Sequence, residues 1–273
     1  MSRRNSAWLH VHQGDAPLIV AFPHTGTDLA DVADAFASPW RARHDTDWYV
    51  DRLYDVAASL GATTVRTAIS RSVVDVNRDP SGTSLYPGQE TTELVPTTTF
   101  DGDPLYADPP AADEVKRRCA TYFQPYHDGL AAEIARLQQR HDRVVLFDAH
   151  SIRSRIPRLF DGTLPQFNVG TNGGETCDSA LTKAVLGAIA GQPAGDGSVV
   201  LNGRFKGGWT TRHYCRPGYG VHAIQLELAI RGYLPEPDAL DEANWPPAYD
   251  PAYAAPMAQT LDAVLTACLD FAR

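Results

Sequence analysis

The chain has 273 residues, of which 43% are hydrophobic and 21% charged, with a formal net charge of −9. That length buries a sizeable core, and the composition is that of an ordinary globular protein. The acidic balance, with no run of Lys or Arg, argues against a nucleic-acid partner, and no stretch approaches the ~18 consecutive apolar residues of a membrane span.

The start, "MSRRNSAWLHVHQGDAP", carries a twin arginine without an apolar run behind it, so it is not an export signal. Cys119, Cys177, Cys215 and Cys268 are scattered without a CxxC and read as reduced thiols of a cytoplasmic protein. In chain order, strands are expected at 18–22 (LIVAF), 63–69 (TTVRTAI), 72–76 (SVVDV), 143–148 (RVVLFD), 198–202 (SVVLN) and 223–230 (AIQLELAI). Helical periodicity occupies "DWYVDRLYDVAASLG", where Val50, Leu53, Tyr54, Ala57 and Leu60 form a stripe that stops at Gly61. It returns over 112–138, 176–191 and 252–272. Alternating strands and helices predict one α/β domain, residues 1–273, around a mixed, largely parallel sheet. Two Pro/Gly-rich stretches, 77–110 and 151–175, resist assignment, and loops of that length are characteristic of active-site walls.

Ligand sites in open α/β sheets gather beyond the carboxyl ends of parallel strands. His24 follows the first strand after a proline, and His150 follows "VVLFD" directly. Each alone reads first as a buried, satisfied histidine; two at equivalent strand ends point to a site. Asp47 sits at the edge of its helical stripe and is either an N-terminal cap or a metal ligand, with Asp45 the runner-up. Glu227 lies mid-strand between apolar neighbours, on the face it shares with Gln225, Ala223 and Ala229. Burial there raises its pKa toward that of a general base. Two histidines, an inward carboxylate and a separate glutamate fit a catalytic zinc site, although another divalent cation would also serve. Three ligands leave a fourth position for water, whose pKa the metal lowers to roughly 7. Asp148 is placed to fix the His150 tautomer. On the substrate side, Arg71 and Arg78 bracket "SVVDVN", and Arg212 and His213 occupy a Gly-flanked basic loop. Guanidinium forks converging on a pocket indicate a dicarboxylate or amino-acid ligand. Tyr86, Phe100 and Tyr106 read as pocket lining or as packing.

The segments "PHTG", "DTDW", "SRSVVDVNR", "LYPGQ", "DGDPLY", "LFDAHSIRSRIPRLFDGTLPQFNVGTN", "NGRFKGGWTTRHY" and "VHAIQLELA" resemble the N-formylglutamate amidohydrolase family from about residue 10 to 235. That family is related to the zinc carboxypeptidases and aspartoacylases. The resemblance implies a phosphorylase/hydrolase-like α/β fold and hydrolysis of N-formyl-L-glutamate to formate and L-glutamate in histidine degradation. It also implies zinc on His24 and His150, and Glu227 as base. "DVNR" resembles the Asn-Arg pair that holds the substrate carboxylate in the aspartoacylase relatives, which points to Asn77 and Arg78. The peptidase relatives use His-x-x-Glu, but here Thr27 stands three after His24, so the remaining ligand comes from elsewhere. Rival expectations are a zinc amidohydrolase of another N-acyl amino acid and a non-catalytic dicarboxylate-binding protein. The absence of a G-x-S-x-G elbow disfavours a serine hydrolase. Neither the oligomeric state nor the acyl-group range is written in the sequence.

Overall fold

The computed structural model describes residues 7–273; the Arg3-Arg4 pair lies outside them. Seven strands form one mixed sheet: β1 Leu9–His12, β2 Leu18–Phe22, β3 Thr63–Thr67, β4 Val144–Ile152, β5 Phe167–Gly170, β6 Val199–Leu201 and β7 Val221–Ala229. Their order is β1-β3-β2-β4-β7-β5-β6. The four central strands β3, β2, β4 and β7 run parallel, while β1 on β3 and β5 on β7 are antiparallel. The expected α/β architecture is therefore present. All four cysteines are free, and among the described residues no helix is long and apolar enough to cross a membrane.

The helices are α1 Val50–Leu53, α2 Val56–Ser59, α3 Ala112–Arg118, α4 Gln124–Gln138, α5 Ser179–Gly191, α6 Trp209–Tyr214 and α7 Pro251–Ala272. Two apolar cores sandwich the sheet. On one side α1, α2, α5 and α7 cover Val145, Phe147, Ala149, Ile224, Leu226 and Leu228. On the other, α4 covers Val144, Leu146 and Ala223. Strand alternation assigns these faces, as the period-two pattern requires.

Several expectations are corrected. The 72–76 run is a buried turn rather than a strand, because Asp75 is drawn into a polar cluster that a ladder would not satisfy. The helix expected from Asp47 is two short helices, α1 and α2, and Asp47 precedes both; the chain enters α1 through Tyr49 in the left-handed region, φ 58°. Residues 112–138 are helical throughout, but a wider π turn at Cys119–Phe123 joins α3 to α4. Strand β4 continues to Ile152, so His150 lies within it. β1 (LHVH) and β5, which lies inside the unassigned stretch 151–175, are four residues each without an apolar run and fall outside the expected strands.

Candidate active site

On the α4 side of the sheet, the face that begins apolar with Val144, Leu146 and Ala223 turns polar toward the carboxyl ends of β4 and β7. Asp148 and His150 continue that face on β4, and Gln225 and Glu227 continue it on β7, with His150 and Glu227 directly in register. His24 enters from two residues past the end of β2. Its backbone carbonyl accepts from the Asp47 N–H at 3.0 Å, which ties the segment before α1 to the same rim. The sequence-predicted trio is thus assembled: His24, Asp47 and His150 are all buried and offer ligand atoms within 4.8 Å of one another.

The ring nitrogens divide into two sets. Nδ1 of His150 lies 3.2 Å from Asp47 Oδ2, and Nδ1 of His24 lies 3.7 Å from the same oxygen. Each Nε2 faces a carboxylate behind it. His24 Nε2 is 2.7 Å from Asp75 Oδ1, and His150 Nε2 is 3.0 Å from Asp148 Oδ2. Donation from His24 Nε2–H leaves that ring's Nδ1 lone pair directed toward Asp47, whereas His150 is bonded on both sides, Nδ1 to Asp47 and Nε2 beside Asp148 with Asn77 Nδ2 2.9 Å away. Asn77 locks this arrangement. Its Oδ1 accepts from the Thr210 N–H at 2.8 Å, which fixes the amide so that Nδ2 donates to Asp148 Oδ2 at 3.1 Å. Gly208 makes room for that amide: a Cβ there would lie 2.4 Å from Asn77 Nδ2.

Burial dominates the electrostatics. It lowers the His24 imidazole, aided by the Arg71 charge and opposed by Asp75 and Asp47. For His150 the same burial is overcome by Asp148, Asp47 and Glu227, which hold the ring well above the ordinary histidine range. Burial also raises Glu227, to about 7, against the pull of His150 and with the push of Asp47. Asp75 is buried, yet Arg78, His24 and Arg71 hold it well below the usual carboxylate range.

A cleft opens onto this cluster, lined among others by His24, His150, Glu227, Arg71, Arg78 and Asn77. Tyr86 and Phe100 line it as well, whereas Tyr106 packs on Phe36 and donates to the Ser72 carbonyl. Arg71 and Arg78 reach the cleft but are already paired with Asp75, at 2.8 and 3.6 Å. Arg212 and His213 are not among the lining residues. Arg212 donates to the carbonyls of Gly207 and Leu85, and the exposed His213 stacks on Trp209. The expected convergence of these two on the pocket is not seen: both lie on α6, whose packing turns Arg212 to backbone carbonyls and His213 onto Trp209. Asp45, the alternative to Asp47, sits instead with His44 and Asp101. There the guanidinium of Arg153, 2.5 Å from Asp101, already supplies positive charge.

The sequence reading missed Asp75 and Arg204. For Asp75 the signal was present, an acid centred in "SVVDV", just as Glu227 is centred in its own apolar run. For Arg204, a lining residue from the loop before α6, only proximity in space gives the clue.

A family model for N-formylglutamate amidohydrolase matches residues 16–234. The chain belongs to the N-formylglutamate amidohydrolase family. It is 49% identical over 231 residues to an N-formylglutamate deformylase of Pseudomonas aeruginosa, covering 84% of this chain and 86% of that one. Another, of Pseudomonas putida, is 46% identical over 231 residues, with 84% and 85% covered. Among solved structures, an N-formylglutamate amidohydrolase from Ralstonia eutropha superposes with TM-score 0.75 at 24% identity, covering 98% of this chain and 99% of that one. A gene product of Agrobacterium tumefaciens superposes at 0.69 with 18% identity, with 97% and 95% covered. These two likenesses speak for the fold.

Proposed function

We propose that the chain hydrolyses N-formyl-L-glutamate to formate and L-glutamate, as a metal-dependent amidohydrolase of cytoplasmic histidine degradation, and that it acts as a single domain. The observation that carries the metal is an orphaned atom. Buried Nδ1 of His24 has no hydrogen-bond partner, although it points at Asp47 and His150. Nitrogen and oxygen ligands around a tetrahedral zinc stand roughly 3.3 Å apart for bonds near 2.0 Å. The separations of 3.2 and 3.7 Å from Asp47 Oδ2 fit that spacing. Two imidazoles and a carboxylate, each ring backed by a further carboxylate, are a donor set suited to zinc or another divalent cation.

In this reading His24 Nδ1, Asp47 and His150 Nδ1 hold the ion, which when bound supplies Lewis acidity toward a carbonyl oxygen and acidifies water. Asp75 keeps the His24 imidazole in the Nδ1-free tautomer, and Asp148 accepts from His150 Nε2–H so that its Nδ1 proton, shared with Asp47, would be the one displaced on metal binding. The Glu227 carboxylate takes a proton from the attacking water, whose oxygen bonds to the formyl carbon. Glu227 then returns the proton to the amide nitrogen as the C–N bond breaks, releasing formate and the amino group of glutamate. Its raised pKa suits both transfers. Arg71 and Arg78 line the cleft and are assigned to the substrate carboxylate nearer the amide. Asn77 acts chiefly through Asp148.

Formate release from N-formyl-L-glutamate and from N-formyl-L-leucine tests the proposal. Rapid release from the first and slow release from the second is expected; equal rates would overturn the dicarboxylate assignment. Glu227→Gln should retain metal while kcat falls about 10²- to 10⁴-fold. Unchanged turnover in that variant would remove the glutamate from the mechanism.

A further inference from the structure

We infer that Arg204 is the specificity-determining residue for the side-chain carboxylate of the substrate, an assignment that rests on the proposed hydrolysis of N-formylglutamate. Three arginines line the cleft, and they are not equivalent. Arg71 and Arg78 both lie within 4 Å of Asp75, so their charges are largely spent on the protein's own acid. Among the described residues, Arg204 is in no ion pair, although it is half-buried. Burial lowers its pKa, but a guanidinium still remains charged at neutral pH. The cleft therefore contains a guanidinium in no ion pair, although the Glu227 charge in the same cleft acts on it.

The site around that cation is built. Nε of Arg204 donates to the Leu159 carbonyl at 2.8 Å and Nη2 donates to the Glu90 carbonyl at 2.6 Å. The guanidinium carbon lies 5.4 Å from the Tyr86 ring centroid and 5.3 Å from that of Phe205. Two carbonyls and two aromatic faces hold the planar group in place without neutralising it, which is the preorganisation a bidentate carboxylate site requires. Tyr86, Leu159 and Phe205 line the same cleft, so an anion there meets Arg204 against largely apolar walls.

Position decides which carboxylate is read. Arg71 and Arg78 are bonded into the Asp75 cluster that backs His24, beside the reacting amide. Among the described residues Arg204 makes no hydrogen bond or ion pair with that cluster; its anchors are carbonyls of the two long loops, 77–110 and 151–175. The α-carboxylate of an N-formyl amino acid is attached to the carbon next to the amide nitrogen, and the side-chain carboxylate of glutamate is two methylenes further out. Arg204 takes the outer one.

The test compares N-formyl-L-glutamate with N-formyl-L-glutamine, which keeps the α-carboxylate and loses the outer charge, in wild type, Arg204→Gln and Arg204→Lys. Removing a hydrogen-bonded charge pair predicts a loss of about 10- to 100-fold in kcat/KM on N-formylglutamate for Arg204→Gln, carried mainly by KM. Turnover of N-formylglutamine should change little, and Arg204→Lys should recover part of the loss. An equal loss on both substrates would overturn the assignment, as would no loss on either. A loss instead confined to the comparison with the α-amide of N-formylglutamate would assign Arg204 to the inner carboxylate and also overturn it. Calorimetric binding of glutarate separates this inference from the reading beneath it. A chain that released no formate yet bound glutarate through Arg204 would discard the hydrolysis and keep the carboxylate site.

Discussion

The protein buries histidines in two settings on the same side of its sheet, and the contrast shows what marks a reactive site. His127, on α4, is satisfied at both ring nitrogens: Nε2 donates to the Val76 carbonyl at 2.8 Å, and Nδ1 lies 3.0 Å from the Tyr214 hydroxyl. It packs among Phe123, Tyr126 and Trp209, and burial drives its pKa down to about 3. His24 and His150 are just as buried, but each has a carboxylate behind Nε2 and Asp47 before Nδ1, and the Nδ1 of His24 is left unsatisfied. Burial is common to both places. Carboxylate backing and an orphaned lone pair belong to one, and a neutral, fully bonded ring is the mark of ordinary packing.

The strongest way to break this contrast is to remove a backing carboxylate. Asp75→Asn keeps the shape and one acceptor but takes away the charge that fixes the His24 tautomer. Affinity for a titrated divalent metal should fall about 10- to 100-fold, the usual effect of losing a partner behind a ligand. His127→Gln should leave that affinity unchanged. Equal effects from the two variants would erase the distinction between the sites.

A smaller effect sharpens the other half. Because the folded pKa of His127, about 3, lies below the ordinary 6.5, the neutral ring contributes stability that is full above pH 6.5 and is lost as pH falls toward 3. Between pH 7 and 5 the melting temperature of metal-stripped wild type should fall relative to that of His127→Gln, the comparison cancelling the opposing contributions of His24, His150 and Glu227. An identical slope in the variant would show that His127 titrates normally in the fold.

Much of this was legible in one dimension. Long or strictly alternating runs announced β2, β4 and β7, and the acid and histidine that interrupt them announced Asp148, His150 and Glu227. Asp47 could be read as facing inward, but its inwardness comes from the turn before α1 and from the His24 carbonyl, not from a helical first turn. What stayed hidden depended on contacts distant in sequence. Asp75 looked like part of a strand because three of the five residues in its run are valines, whereas the nearby guanidiniums and His24 make a turn the better solution. Arg212 and Arg204 look alike in a basic, glycine-flanked loop. Only the folded chain shows that Arg212 turns to the carbonyls of Leu85 and Gly207 while Arg204 faces the cleft.

Titration of metal-stripped protein with zinc, in wild type and in His24→Ala, addresses the central claim most directly. The account predicts one tight equivalent per chain in wild type, formate release restored in proportion to it, and neither in the variant. Full activity in stripped wild-type protein, or an undiminished tight equivalent in His24→Ala, would contradict it.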